Sequence, residues 1–366
     1  MKIAVYTICK NEEQFAERFM QCIKDEADGI YVADTGSSDR TVEILRDYGA
    51  IVNVIDVQPW RFDVPRNASL AFVPANVDAC ICIDLDETLT PGWRDALEKA
   101  WTPTTTRMRY MYAWSHNEDG SPGVSFWYDK VHQRKNYRWV KPVHEILQIY
   151  NQQEVQTQCS GFMLHHYPDP TKSRGSYLGL LEMGCREEPD DDRNCHYLGR
   201  EYMYYGMHDK SIAELQRHLS LKSATWKAER AASMRYISRC YLSKKDVQSA
   251  VEWALKSVAE APGEREPLLD LAKAAYAARD FTTCYFAAKK AIEIKERPAS
   301  YICEPAAWGH EPWDYLSIGA WNLGHKREAL EAGKEAFRLN PKDKRLEENV
   351  NLIEKELKSK SKKERA

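Results

Sequence analysis

The chain lacks a Gly-x-Gly-x-x-Gly after its first strand-like run and lacks a Walker A sequence, so neither the usual dinucleotide phosphate loop nor a P-loop is expected. Long hydrophobic runs are also missing. None approaches the roughly 20 residues of a membrane-spanning helix. Met1 to Tyr6 enters a strand-like pattern at once, without the apolar stretch or small-residue cleavage site of a signal peptide. A soluble, cytoplasmic protein with no membrane insertion is expected. The ten cysteines form no paired framework; Cys80-x-Cys82 lies inside an apolar run where a shared zinc ion is not expected, and free thiols in a reducing compartment fit best. Strong charge of either sign is lacking, since 52 Lys and Arg oppose 55 Asp and Glu. Residues 1–166 hold 17 basic and 23 acidic side chains and the remainder 35 and 32. Neither half has the basic bias of a dedicated nucleic-acid binder, although the second leaves an anionic acceptor open.

What is present divides in two. At 366 residues the chain exceeds one typical domain, and 43% hydrophobic with 29% charged residues argues against disorder. Up to about residue 166, short strand-like runs alternate with amphipathic segments, the pattern of an α/β domain with a mostly parallel sheet. Strands are predicted at Ile3–Ile8, Ile30–Ala33, Ile51–Val57 and Ala79–Ile83. Helices are predicted over Asn11–Asp25 with Asn11 opening it, from Ser38 through Asp47, and over Arg66–Phe72. Beyond about residue 170 the strand signal stops and helical segments recur with similar punctuation. Asp209, Asp246 and Asp280 stand 37 and 34 residues apart, and intervals near 34 indicate tetratricopeptide-like (TPR-like) helix pairs. Trp321-Asn322-Leu323-Gly324, with Ala336-Phe337 and Asn340-Pro341, matches that unit most closely, and Pro298 to Pro312 reads as an insertion. The expected division is 1–170 for the α/β domain, 171–354 for the helical repeats and 355–366 for a lysine-rich, solvated tail.

The residue types that carry chemistry fall at the ends of the predicted strands. Ile81-Cys82-Ile83-Asp84-Leu85-Asp86-Glu87 is an apolar run ending in two carboxylates, at the strand end where open α/β sheets bind ligands. Thr7-Ile8-Cys9-Lys10-Asn11-Glu12-Glu13 follows the first strand and Asp34-Thr35-Gly36-Ser37-Ser38-Asp39-Arg40-Thr41 the second, while Arg66-Asn67 precedes the fourth. In this order the four blocks resemble the family 2 glycosyltransferases of GT-A fold, and the resemblance covers residues 1–166. It implies a GT-A, Rossmann-like sheet domain and an inverting, metal-dependent transfer from a UDP-sugar to an acceptor hydroxyl. A departing diphosphate calls for a divalent Lewis acid, Mn²⁺ or Mg²⁺, and such hard cations take oxygen ligands. By resemblance Asp86 ligates the metal, Asp84 contacts the ribose or the metal shell, and Asp34 accepts from the uracil imide. Thr7, Lys10, Asn11 and Glu12 border the nucleoside. Arg66, with Asn67, is placed to meet the diphosphate, where a guanidinium fork suits phosphate oxygens.

Two later elements complete the set. Trp139-Val140-Lys141-Pro142-Val143-His144-Glu145 ends where related transferases carry an acidic base, and attack by an acceptor hydroxyl needs one. Glu145 is the candidate, with Asp129 as the competitor. Gly161 to Asp169 contains His165-His166 and resembles the carboxyl-terminal histidine element of GT-A enzymes. His166 is the chosen metal ligand, with His165 and His144 as alternatives. Helical repeats bind extended partners, so a protein or peptide acceptor is expected, with a glycan or a hydroxymethylated base of modified DNA also admitted. A non-catalytic TPR scaffold with a relic transferase domain is the alternative from another functional class.

Overall fold

The computed structural model describes residues 1–170, Gly175 and residues 177–363, with side chains as far as residue 358. The chain forms two compact units, the first Met1–Gly184 with Ala299–Tyr301, the second Cys185–Pro298 with Ile302–Ala366. The first unit thus runs past the expected boundary at residue 170, a position beside residues outside the described set.

The first unit opens with β1 (Ile3–Cys9), α1 (Glu13–Ile23), β2 (Gly29–Asp34), α2 (Thr41–Asp47), β3 (Ile51–Val54), α3 (Asp63–Phe72) and β4 (Ala79–Cys82). It continues with β5 (Glu87–Leu89), α4 (Trp93–Ala100), β6 (Arg107–Ala113), β7 (Ser125–Gln133), β8 (Tyr137–Val140), β9 (Ile146–Ile149), β10 (Gln156–His166) and α5 (Tyr177–Glu187). Eight strands make one sheet in the order β3-β2-β1-β4-β7-β6-β10-β5, and β8 and β9 pair separately. Pairing is parallel between β3, β2, β1 and β4 and between β6 and β10; β7 and β5 run antiparallel to their neighbours. Covering of both sheet faces explains the continuous apolar runs. Ala79 and Ile81 enter one core with Ile3, Val5 and Phe19, while Cys80 and Cys82 share the opposite core with Tyr6 and Trp139. The two cysteines of the Cys-x-Cys therefore face the same way, as period-two geometry requires, and all ten cysteines are free.

Helix α1 buries Phe15, Ala16, Phe19, Met20 and Ile23 on one stripe. Its start differs from expectation. Glu12 is the N-cap residue, and Asn11 stands outside the helix at φ 53°. Its side chain accepts from the Ser38 N–H (2.8 Å) and its own N–H donates to the Ser37 hydroxyl (2.9 Å), so it ties two loops together.

The second unit continues from the end of α5 with α6 (Asp192–Tyr204), α7 (His208–Ser220), α8 (Lys227–Ser243), α9 (Val247–Glu260), α10 (Arg265–Ala277), α11 (Phe281–Glu293), α12 (Pro305–Trp308), α13 (Glu311–Asn322), α14 (Lys326–Leu339) and α15 (Lys344–Lys363). The hairpins turn at Gly206, Lys245, Arg279 and Gly324, each with positive φ. This sets the repeat register two residues away from Asp209: Asp246 and Asp280 are N-caps, whereas Asp209 lies in the first turn of α7. Small residues let paired helices approach. The Ser211, Ser238 and Ser317 hydroxyls donate to the Gly199, Ala250 and Ala329 carbonyls at 2.7, 2.7 and 2.8 Å, and a Cβ on Gly319 would lie 2.8 Å from the Tyr285 backbone. The insertion predicted from Pro298 holds α12, and its Glu304 pairs with Arg235 and Arg239 at 3.0 and 2.6 Å. The lysine-rich stretch expected from residue 355 continues α15 through Lys363, and residues 364–366 lie outside the described set. Its Leu346, Val350 and Ile353 are buried, which anchors the helix that carries the lysines onward.

Candidate active site

Strand direction gathers the site. Because β7 is antiparallel to both β4 and β6, and β10 is parallel to β6, the carboxyl ends of β1, β2, β4 and β10 share one edge of the sheet. On that edge lie Lys10 to Glu12, Asp34, Asp84 and His165-His166. Strand β5 then pairs Glu87 directly with His166, which brings the preceding Asp86 to the histidine.

Asp84 and Asp86 diverge. The chain after β4 turns, with the Glu87 N–H donating to the Asp84 carbonyl at 3.0 Å, so the two are not the alternating neighbours of an extended strand. Asp84 faces two cations. Arg66 Nη1 lies 2.9 Å from one of its oxygens and Lys130 Nζ 3.4 Å from the other. Burial pushes the Asp84 carboxyl up, but the Arg66 and Lys130 charges outweigh it and hold the group well below the carboxylate range. Its charge is already compensated by protein, which disfavours the metal role expected for it. Arg66 is 4% exposed, and its guanidinium also pairs through Nε with Glu145 and lies 5.2 Å from the Trp139 ring centroid. The expected diphosphate ligand is thus a clamp between two carboxylates. Asn67 is likewise committed: its amide donates to the Trp139 carbonyl and accepts from the Trp139 N–H, both at 2.8 Å. It fastens β8 to α3.

Asp86 meets His166. Its Oδ2 lies 3.4 Å from Nε2, while Nδ1 of the same ring is 3.1 Å from the Trp114 carbonyl. A carbonyl can only accept, so Nδ1 carries hydrogen and a neutral ring presents the Nε2 lone pair toward Asp86. Burial lowers the His166 pKa, but the Asp86 hydrogen bond and charge outweigh it, and the net shift is upward. Two donor atoms about 3.4 Å apart suit neighbouring positions around one cation with ligand distances near 2.1 Å. The residues present therefore fit a divalent ion held by Asp86 and His166. His165 points elsewhere, its Nδ1 2.9 Å from His116 Nε2, and the His144 ring packs 5.8 Å from Tyr177.

The nucleoside end is shaped by loops. Asp34 is buried and accepts from the Gly36 N–H (3.0 Å), the Ser37 N–H (3.0 Å) and the Ser37 hydroxyl, with the Cys9 thiol 3.4 Å away. Its oxygens serve their own turn, and a uracil imide would have to displace one of these donors. Thr7 is fully buried in β1, whereas Lys10 is exposed. The Glu12 N–H donates to the Thr41 hydroxyl at 2.7 Å.

Asp129 is paired with Arg107 at 3.2 Å. It neighbours Lys130 on β7, and successive strand residues face opposite sides, so Lys130 belongs to the Asp84 cluster and Asp129 to the other face. Sequence reasoning missed Lys130 and Glu87. Lys130 is 6% exposed and contacts the Tyr128 ring. Glu87 is buried, accepts from the Asp84 N–H at 2.8 Å, and has its pKa raised by burial. The Asp84-x-x-Glu87 spacing was the available signal.

Residues 4–164 match the family model described as Glycosyl transferase family 2. The first unit carries a family 2 glycosyltransferase domain. That domain is accompanied by a helical unit, and relatives share parts of this arrangement. A TPR repeat-containing protein of Synechococcus elongatus is 25% identical over 217 residues, covering 54% of this chain and 51% of its own length. An uncharacterized glycosyltransferase of Rickettsia typhi is 33% identical over 118 residues, covering 32% and 35%. The chain spans about half or less of the length of these curated relatives. Among solved structures, MamA overlaps 45% of this chain and 87% of its own at 16% identity and TM-score 0.37. YrrB, a TPR protein with an unusual peptide-binding site, overlaps 48% and 82% at 13% and 0.39. The hairpin turns and serine ties described above identify the TPR-like repeats beside the family 2 domain. No helix among the described residues is long and apolar enough to cross a membrane.

Proposed function

We propose that the family 2 domain moves a sugar from a UDP-sugar to an acceptor hydroxyl with inversion, and that Mn²⁺ or Mg²⁺ on Asp86 and His166 accompanies the donor. One observation carries the metal reading: His166 is anchored through Nδ1 on Trp114 and offers Nε2 to Asp86 at 3.4 Å. Such an ion, when bound, stabilises negative charge on the leaving diphosphate. The protein's own part is positional. Arg66 and Lys130 hold Asp84 ionised beside the donor edge. Arg66 also restrains Glu145 through one oxygen, which leaves the other to accept a proton from the acceptor hydroxyl. Uridine as the base rests on the sequence resemblance around Thr7 and Asp34. Helical hairpins present extended surfaces, which supports a role for the second unit in positioning a protein or peptide acceptor.

Purified chain incubated with UDP-sugars and Mn²⁺ is expected to release UDP, slowly alone and faster with a competent acceptor, with peptides, glycans and hydroxymethylated DNA as arms of the screen. Asp86→Asn is expected to lower kcat by about 100-fold or more, the rate equivalent of the several kcal/mol a Lewis acid supplies. Absence of turnover with every nucleotide-sugar, together with no UDP binding by calorimetry, would overturn the reading.

A further inference from the structure

We propose that Asp192, His218 and Glu229 form a divalent-cation site of the zinc class in the helical unit, separate from the donor site. Three consecutive helices each supply one side chain: Asp192 from the first turn of α6, His218 from the last turn of α7 and Glu229 from the first turn of α8. Up-down-up packing brings those three ends together. One ligand atom from each lies within 4.8 Å of the other two, and His218 Nε2 is 3.5 Å from Glu229 Oε1. A tetrahedral ion with ligand distances of about 2.1 Å separates its donors by about 3.4 Å, so the His–Glu edge is already at coordination spacing.

The second observation is the imidazole itself. His218 is fully buried, and its Nε2 is without a hydrogen-bond partner although a buried polar atom normally has one. Its other nitrogen is fixed, with Nδ1 2.9 Å from the Ser233 hydroxyl, which in turn lies 2.8 Å from His196 Nδ1. Two arrangements of hydrogens suit these groups, and one of them leaves His218 ready to bind a metal. In that one His218 Nδ1–H donates to Ser233, Ser233 donates to His196 Nδ1, and the His218 Nε2 lone pair faces Glu229. A ring oriented by an outer hydrogen bond is how metal-ligating histidines are held.

The donor set selects the ion. One imidazole nitrogen with two carboxylate oxygens suits Zn²⁺, whereas Ca²⁺ and Mg²⁺ favour all-oxygen shells. Asp192 is only half-buried, which gives the ion a route in and leaves room for water as a fourth ligand. The consequence is structural, a staple joining the first helical hairpin to the next.

The test uses the full chain in an Asp86→Ala background, so that donor-site binding does not contribute. After chelator treatment, Zn²⁺ titration by calorimetry is expected to give about one ion per chain, and Co²⁺ to give the visible bands of a tetrahedral site. Asp192→Asn, at a half-buried first-turn position, and His218→Asn are each expected to weaken Zn²⁺ by at least about tenfold, a loss seen even for outer partners of metal ligands. Zn²⁺ should raise the melting temperature of the parent and not of the variants. Zinc stoichiometry and affinity unchanged in a folded Asp192→Asn, or no zinc bound in the Asp86→Ala background, overturns the proposal.

Discussion

Arg66 joins two segments that stand far apart in the sequence, the carboxylate turn after β4 and the His144-Glu145 loop. A buried guanidinium of this kind has no neutral state to retreat to, so its removal leaves Asp84 with Lys130 alone and Glu145 without this cation. Arg66→Met is expected to destabilise the first unit by about 3 kcal/mol in urea unfolding, as when one partner of a buried ion pair is lost. Glu145→Gln separates geometry from chemistry: its amide oxygen still accepts from Arg66, but it takes no proton. Donor affinity should be retained while kcat falls by about 10²- to 10⁴-fold, a split read from calorimetry and initial rates. At this scale the sequence carried residue types and their order. Asp86, Glu145 and His166 stood out by residue type in the sequence, and the structure brings Asp86 to His166 and Glu145 to Arg66. The sequence did not show that Asn67, Arg66 and Asp34 bond to protein, because a polar side chain beside a site bonds equally well to protein or to a ligand. That choice depends on Trp139, Asp84 and Ser37 being within reach.

Among the elements, the strand pattern was legible because buried parallel strands are continuously apolar, as β1 and β4 are. Strand β5 was not. Its three residues carry too little pattern, yet its antiparallel pairing with β10 is what sets Asp86 beside His166. The helical repeats were visible by spacing, but their register was carried by backbone sign rather than by aspartate. Lys245 and Arg279 occupy left-handed turns at φ 63° and 58°, where Gly206 and Gly324 occupy the matching positions. Lys245→Gly is therefore expected to stabilise the chain by up to about 1 kcal/mol, and Gly324→Ala to cost about as much. Urea midpoints of the two variants against the parent check both signs.

For the molecule as a whole, acid stability follows from a buried polar chain in the first unit. The Trp139 indole donates to the Tyr6 oxygen at 2.8 Å, and the Tyr6 hydroxyl donates to His132 Nε2 at 2.8 Å. Burial lowers the His132 pKa to about 3. Below pH 6.5 the unfolded chain takes up this proton and the folded chain does not, so stability falls as pH falls, by about 1.4 kcal/mol per unit until pH 3. His132→Gln is expected to be less stable at pH 7 but to have a pH slope shallower by one proton below 6.5, measured by urea unfolding at stepped pH. The first unit is also discontinuous, since it includes Ala299–Tyr301, and the Tyr301 ring lies 6.5 Å from Phe126. A chain ending at Gly184 lacks that segment. It should melt at least about 2 °C below the same unit in the full chain, the shift that roughly 1 kcal/mol produces at this size. The sequence by itself determined the two-part architecture, the alternation of strands and helices, and the chemical inventory at the strand ends. Those are set by local periodicity and residue type, which short windows contain. Only the tertiary structure decided which carboxylate meets a histidine and which meets two cations. It alone decided which face Asp129 takes and which three helix ends meet at His218. Those outcomes depend on strand order, a turn of a few residues and distances of a few ångströms between segments far apart in the chain.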